Sequence, residues 1–233
     1  DLAEMLENVP ASGAKTFQEA LQTLRILHSV MWLSGFFHVG IGRFDQFMWP
    51  YLKADLESGR LTEETAEALL TEFFIDMNRD IDLYSGGVLT GDNGQTIVIG
   101  GVKPDGTDAV NPLTYMILRV SRDVGLIEPK INMRVSKDTP LELLMLASEL
   151  TRKGLGFPQY ANDDVVIPNL VAHGYDIEDA RDYVVAACWE FIIPGKGMEI
   201  VNISDLSFPG CANKAIREGL ADGDDFEGIM SRM

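Results

Sequence analysis

Two side chains in this sequence stand at a spacing suited to chemistry: the thiol of Cys188 and the carboxylate of Glu190, in Cys188-Trp189-Glu190. They follow Val184-Val185-Ala186-Ala187, which reads as a short buried strand, and precede a turn at Pro194-Gly195-Lys196-Gly197. In extended chain, residues i and i+2 project to the same side, so the thiol and the carboxylate can face one cavity. Trp189 and Phe191-Ile192-Ile193 read as buried. That would put Glu190 in an apolar setting, where a carboxyl group can work as a general acid or base. The blander reading makes Glu190 a solvated loop carboxylate and Cys188 a small buried hydrophobe. Cys211 is the second of two cysteines and reads as structural; two are too few for a disulfide framework. The histidines are His28, His38 and His173, and no Cys-x-x-Cys or His-Glu-x-x-His spacing suggests zinc.

The elements that must position this pair alternate between helical and strand-like stretches. Thr16-Phe17-Gln18-Glu19 reads as a capping box, and Phe17, Leu21, Leu24, His28 and Met31 follow at helical spacing. A second helix is predicted over Asp45 to Glu57, stopping at Ser58-Gly59. A third covers Glu63 to Asp76, capped by Thr62. Ser85-Gly86-Gly87 reads as a turn, and Gly86-Gly87 with Gly91 lacks the context of a dinucleotide fingerprint. Gln95 to Val102 reads as a strand closed by the turn Lys103-Pro104-Asp105-Gly106. Pro112 opens a helix, Ile131 to Val135 is a strand, and Pro140 to Lys153 a helix. Asp164 to His173 is predicted helical but interrupted at Pro168. Asp176 to Tyr183 reads as a short helix, and the acidic stretch Asp222 to Glu227 as a solvated loop. Helices alternating with short buried strands indicate an α/β layered or barrel arrangement.

Bulk composition narrows the function classes. The chain has 233 residues, 46% hydrophobic and 24% charged, as in ordinary globular proteins with a sizeable core. A net charge of −17 argues against nucleic-acid partners and anionic membranes. No apolar run is long enough to span a bilayer, and the acidic N-terminus lacks the basic region of a signal peptide. A cytoplasmic location is therefore expected.

Several separated stretches resemble the glycyl radical enzymes related to pyruvate formate-lyase. Arg43-Phe44-Asp45-Gln46, continuing to Pro50-Tyr51, is similar to a signature of that family. So are Lys130 to Ser136, Asn162-Asp163-Asp164, and Cys188-x-Glu190 with Pro194-Gly195-Lys196. The resemblance runs from Thr16 to about Arg217, as one region over residues 1–233, and implies part of a ten-stranded α/β barrel with the cysteine on a central loop. It implies a thiyl radical on Cys188, generated by a glycyl radical on a segment that this sequence lacks. No bound cofactor is implied. The partners implied are a small-molecule substrate and a radical-SAM activating enzyme that installs the radical, with a homodimer for the complete protein. The chain by itself is expected to be inactive.

Ala187 stands where pyruvate formate-lyase has a second cysteine, so the Cys-x-Glu pair resembles the lyase and dehydratase branch instead. There Cys188 would abstract a hydrogen atom and Glu190 would act as general base. Formate acetyltransferase activity and a non-catalytic barrel module are the alternatives. Departures from the branch lie in the pocket. Asn202 replaces an aspartate that binds substrate in polyol dehydratases, and Phe37-His38 stands where glycerol dehydratase presents His-Ser. Phe37, His38 and Asn202 are therefore the candidate substrate-binding residues, and a poor glycerol or propanediol dehydratase is expected.

Overall fold

The computed structural model describes residues 2–33, 39–79, 94–186, 189–196 and 207–233. Residues 1–198 and 199–233 form two separate compact units.

In the first unit, helices α1 (Leu2–Asn8) and α2 (Phe17–Leu33) lead to a repeated strand–helix pattern. It runs β1 (Gly40–Arg43), α3 (Phe44–Glu57), α4 (Glu63–Arg79), β2 (Thr96–Gly100), α5 (Pro112–Val124), β3 (Lys130–Val135), α6 (Leu141–Thr151) and β4 (Gln159–Asn162). The four strands pair in sequence order and in parallel, as crossover helices between successive strands dictate. Local chemistry sets most boundaries. Thr16 Oγ1 accepts from the Glu19 N–H at 3.1 Å, while the Glu19 carboxylate turns to the Lys15 N–H at 2.6 Å, so only half of the expected capping box forms. Asn111 caps α5 in a reciprocal box with Thr114, and Pro112 fits at the first turn, where its missing N–H costs nothing.

Alternation along the strands separates two faces. Ile97, Ile99, Ile131 and Met133 point to the helices and join Phe44, Leu52, Phe74, Leu113 and Ile117 in the main core. Fully burying each such side chain is worth about 1.5–3 kcal/mol. Val98 and Ala161 point the other way. They pack against Tyr183, Val184 and Val185, which belong to the last part of the unit: α7 (Asp163–Ala172), α8 (Ile177–Arg181), and an antiparallel hairpin of β5 (Val184–Ala186) and β6 (Glu190–Ile192).

Two local expectations are corrected. Helix α7 runs through Pro168 without a break. The proline sits near the helix start, so the single carbonyl it leaves without a donor is that of the exposed Asp164. β2 is paired on both sides. The acidic stretch near the C-terminus is the turn of a second-unit helix pair, α9 (Phe208–Asp222) and α10 (Phe226–Arg232). Asp225 caps α10, and Arg232 bonds both Asp222 and Asp224. Cys211 lies on α9, partly buried.

Candidate active site

The hairpin crosses the sheet's inner face from the C-terminal ends of the strands toward their N-terminal ends. Tyr183, just before β5, meets Arg134 at the end of β3, and Ala186 meets Gly40 at the start of β1. What holds this course is polar and buried. Arg134, with no exposed surface, donates from Nε and Nη2 to the two carboxylate oxygens of Asp163, both at 2.9 Å. Its Nη1 donates to the Tyr183 carbonyl at 3.1 Å, and its guanidinium lies 4.0 Å from the Tyr183 ring centroid. The Tyr183 hydroxyl donates back to Asp163 at 2.7 Å, closing a ring of three side chains. Burial pushes the Tyr183 phenol well above its ordinary pKa, so it stays a donor.

A second anchor comes from the signature around Arg43. The Arg43 guanidinium, buried at the end of β1, donates to Asp182 Oδ1 at 3.0 Å and to the Gly100 carbonyl at 3.2 Å. Two residues on, Asp45 is fully buried and accepts from the Gly100 N–H at 2.8 Å and from the Thr114 hydroxyl at 2.6 Å. Burial lifts the Asp45 carboxyl above its usual range. Gln46 donates to the Ala109 carbonyl at 2.7 Å. Arg-Phe-Asp-Gln therefore works as a splice between the strand ends and the hairpin base. The far leg of the hairpin is tied at the surface, where Lys196 Nζ donates to both oxygens of Asp179 at 2.7 Å.

Of the candidate site residues, Glu190 is described; Phe37, His38, Cys188 and Asn202 lie outside the described residues, as do the glycines of the expected turn at 85–87. Glu190 opens β6 opposite Ala186, half-buried, with Oε2 accepting from the Trp189 N–H at 3.0 Å. Trp189 corrects an expectation: its side chain is 49% exposed instead of buried. The reason is position, since it lies in the turn between strands and not in the packed alternation. Phe191 packs on Tyr183 with ring centroids 5.7 Å apart, and Ile193 is buried. Among the described residues, no group of three or more His, Cys, Asp or Glu could hold a metal ion.

Sequence reasoning missed the ring of Arg134, Asp163 and Tyr183 and the strands β1 and β4. A signal existed in Lys130-Ile131-Asn132-Met133-Arg134-Val135, whose strict alternation reads as a half-exposed strand. Its polar members are in fact buried.

A parallel sheet with helices on one face and a hairpin seated on the other is part of an α/β barrel of the pyruvate formate-lyase type, and a model of pyruvate formate lyase-like proteins matches residues 1–225. The chain belongs to this family, that of the glycyl radical enzymes. Among its relatives, the isethionate sulfite-lyase of Oleidesulfovibrio alaskensis is 34% identical over 209 residues, covering 84% of this chain and 24% of the relative. The solved structure of 1,2-propanediol dehydration in Roseburia inulinivorans aligns with a TM-score of 0.75 at 36% identity, over 84% of this chain and 25% of that one. The glycerol-bound B12-independent glycerol dehydratase from Clostridium butyricum aligns with a TM-score of 0.73 at 36% identity, with the same coverages. The chain thus spans about a quarter of the length of these relatives.

Proposed function

We propose that this chain is the cysteine-loop portion of a glycyl radical lyase that cleaves a bond beside a hydroxyl group in a small polar substrate. In this reading Cys188 is the hydrogen-abstracting residue, Glu190 the general base, and Phe37, His38 and Asn202 line the substrate pocket. The family's radical, installed by a radical-SAM activating enzyme, supplies the unpaired electron that makes Cys188 a thiyl. The thiyl takes a hydrogen atom from the carbon bearing the hydroxyl, forming S–H and a carbon radical. The Glu190 carboxylate takes the hydroxyl proton as the neighbouring group departs with its bonding electrons. The resulting substrate radical then recovers a hydrogen atom from the Cys188 thiol, which returns the thiyl.

One observation carries this reading: the contact of Ala186 with Gly40 on the inner face of the sheet. A methyl placed on Gly40 would lie 2.6 Å from the Ala186 Cβ. Cys188 is two residues beyond Ala186, and His38 two residues before Gly40. That contact brings together the described chain leading to each candidate, at Gly40 and Ala186, which supports the reading. Hydrogen-atom transfer would require the neutral thiol of Cys188, not a thiolate. Shielding from water and oxygen is a further use of such a site.

The test is anaerobic turnover by the activated full-length protein on isethionate, glycerol and 1,2-propanediol. The departures at Asn202 and Phe37-His38 favour a substrate other than a simple diol, since an amide can bind a hydroxyl but cannot take its proton. Poor turnover of both diols is expected, and efficient turnover of either would refute the pocket assignment. Glu190→Gln should lower turnover of any accepted substrate by about 100-fold or more, the scale of a lost acid–base group. Unchanged turnover would remove Glu190 from the mechanism.

A further inference from the structure

We infer that Gly40 is a positioning residue: its missing side chain sets the depth at which the hairpin lies against β1, and hence where Glu190, paired with Ala186 across the hairpin, is held. This rests on the proposed role of Glu190. Gly40 belongs to the inner face, in register with Thr96, and the Ala186 side chain fills the space a Cβ would take. An added methyl would meet the Ala186 Cβ at 2.6 Å and its Cα at 3.0 Å. The first distance is shorter than real Cβ atoms essentially ever show, and neither atom is the far end of a flexible side chain, so the strand itself must move. Gly40 does not have the positive φ of Gly42, Gly100 or Gly101, so its backbone would accept alanine. The need for glycine comes from the hairpin alone.

At its base the hairpin cannot yield, because Asp182 and Tyr183 are tied to Arg43, Arg134 and Asp163. A push at Ala186 is therefore taken up by tilting the part of the hairpin away from that base, where Ala186 pairs with Glu190. The Glu190 backbone would shift with it. Gly101 makes the same kind of room on the inner face, for the guanidinium of Arg134, whose Nε would lie 2.6 Å from an added Cβ. There the occupant is a side chain, and no strand carrying a reactive group would be displaced.

The experiment uses the full-length protein and two readouts. The first needs no radical: the rate at which iodoacetamide alkylates Cys188, followed by mass spectrometry of its peptide. The second is anaerobic turnover after activation. Gly40→Ala should change the alkylation rate several-fold and lower kcat by about 100-fold, the scale expected for a misplacement near 1 Å. KM should change less. Gly40→Ala combined with Ala186→Gly should recover part of both losses, because only the 3.0 Å approach to the backbone at position 186 then remains. Should Gly40→Ala fail to fold, Ala186→Val applies the same push from the other side and should give the same shifts. Wild-type alkylation and turnover in Gly40→Ala would overturn the inference, as would a double variant no better than the single. If the wild-type protein shows no glycyl radical chemistry, the alkylation readout still decides for or against Gly40 while the proposed function fails on its own.

Discussion

The two faces of the four-stranded sheet are buried by opposite means. Toward the helices, Ile97, Ile99, Ile131 and Met133 are wholly apolar and have no exposed surface. Toward the hairpin, the same strands present Arg43, Lys130, Asn132 and Arg134, also buried, with only Val98 and Ala161 as apolar floor. Apolar packing is strong but non-directional and tolerates sliding of one layer on another. Hydrogen bonds from a planar guanidinium to a carboxylate and a carbonyl fix distance and angle together. The helix face therefore supplies stability, and the hairpin face supplies position, at the cost of desolvating charges.

The largest expected effect breaks the positioned face. Asp163→Ala leaves the Arg134 guanidinium buried without its carboxylate and removes the acceptor of the Tyr183 hydroxyl. A loss of about 3–5 kcal/mol is expected, read by urea unfolding of the full-length protein, together with loss of turnover under conditions where the fold persists. Ile99→Ala sharpens the contrast from the other side. Its cavity should cost about 3 kcal/mol, yet turnover per folded molecule should stay near wild type. Equal loss of turnover per folded molecule in both variants would erase the division of labour between the faces.

The smallest effect is a pH trend at Asp45. Burial raises its carboxyl above the unfolded value, so its contribution to stability is full below the ordinary carboxylate pKa and is lost as pH rises through the folded pKa. Asp45→Asn keeps an oxygen to accept from Gly100 and Thr114 but does not ionise. The stability of the variant relative to wild type should therefore rise as pH climbs from about 4 toward 7. A difference that stays flat, or that moves the other way, would show that the local hydrogen bonds outweigh burial.

Much of the helix side was legible in the sequence. Ser58-Gly59 ends α3, Thr62 caps α4, and Pro112 opens α5, because capping and turn chemistry act over a few residues. The hairpin strand before Cys188 was legible for the same reason, as a short β-branched run. β1 and β4 were not. Each is four residues long, and Gly40-Ile41-Gly42-Arg43 carries no β propensity worth the name; its strand exists because β2 offers a partner. Arg134, Asp163 and Tyr183 stand 29 and 20 residues apart in sequence, so no local pattern could have joined them. The resemblance marked Arg43, Arg134 and Asp163 as members of motifs, and the structure supplies their physical role as anchors of the hairpin base.

The proposed role of this hairpin is to serve a radical-bearing Cys188. Its most direct test is Cys188→Ala in the full-length protein, activated anaerobically by its radical-SAM enzyme and followed by EPR and product formation on an accepted substrate. The account predicts a glycyl radical doublet of wild-type intensity with no product. Product formed at the wild-type rate by Cys188→Ala would contradict it.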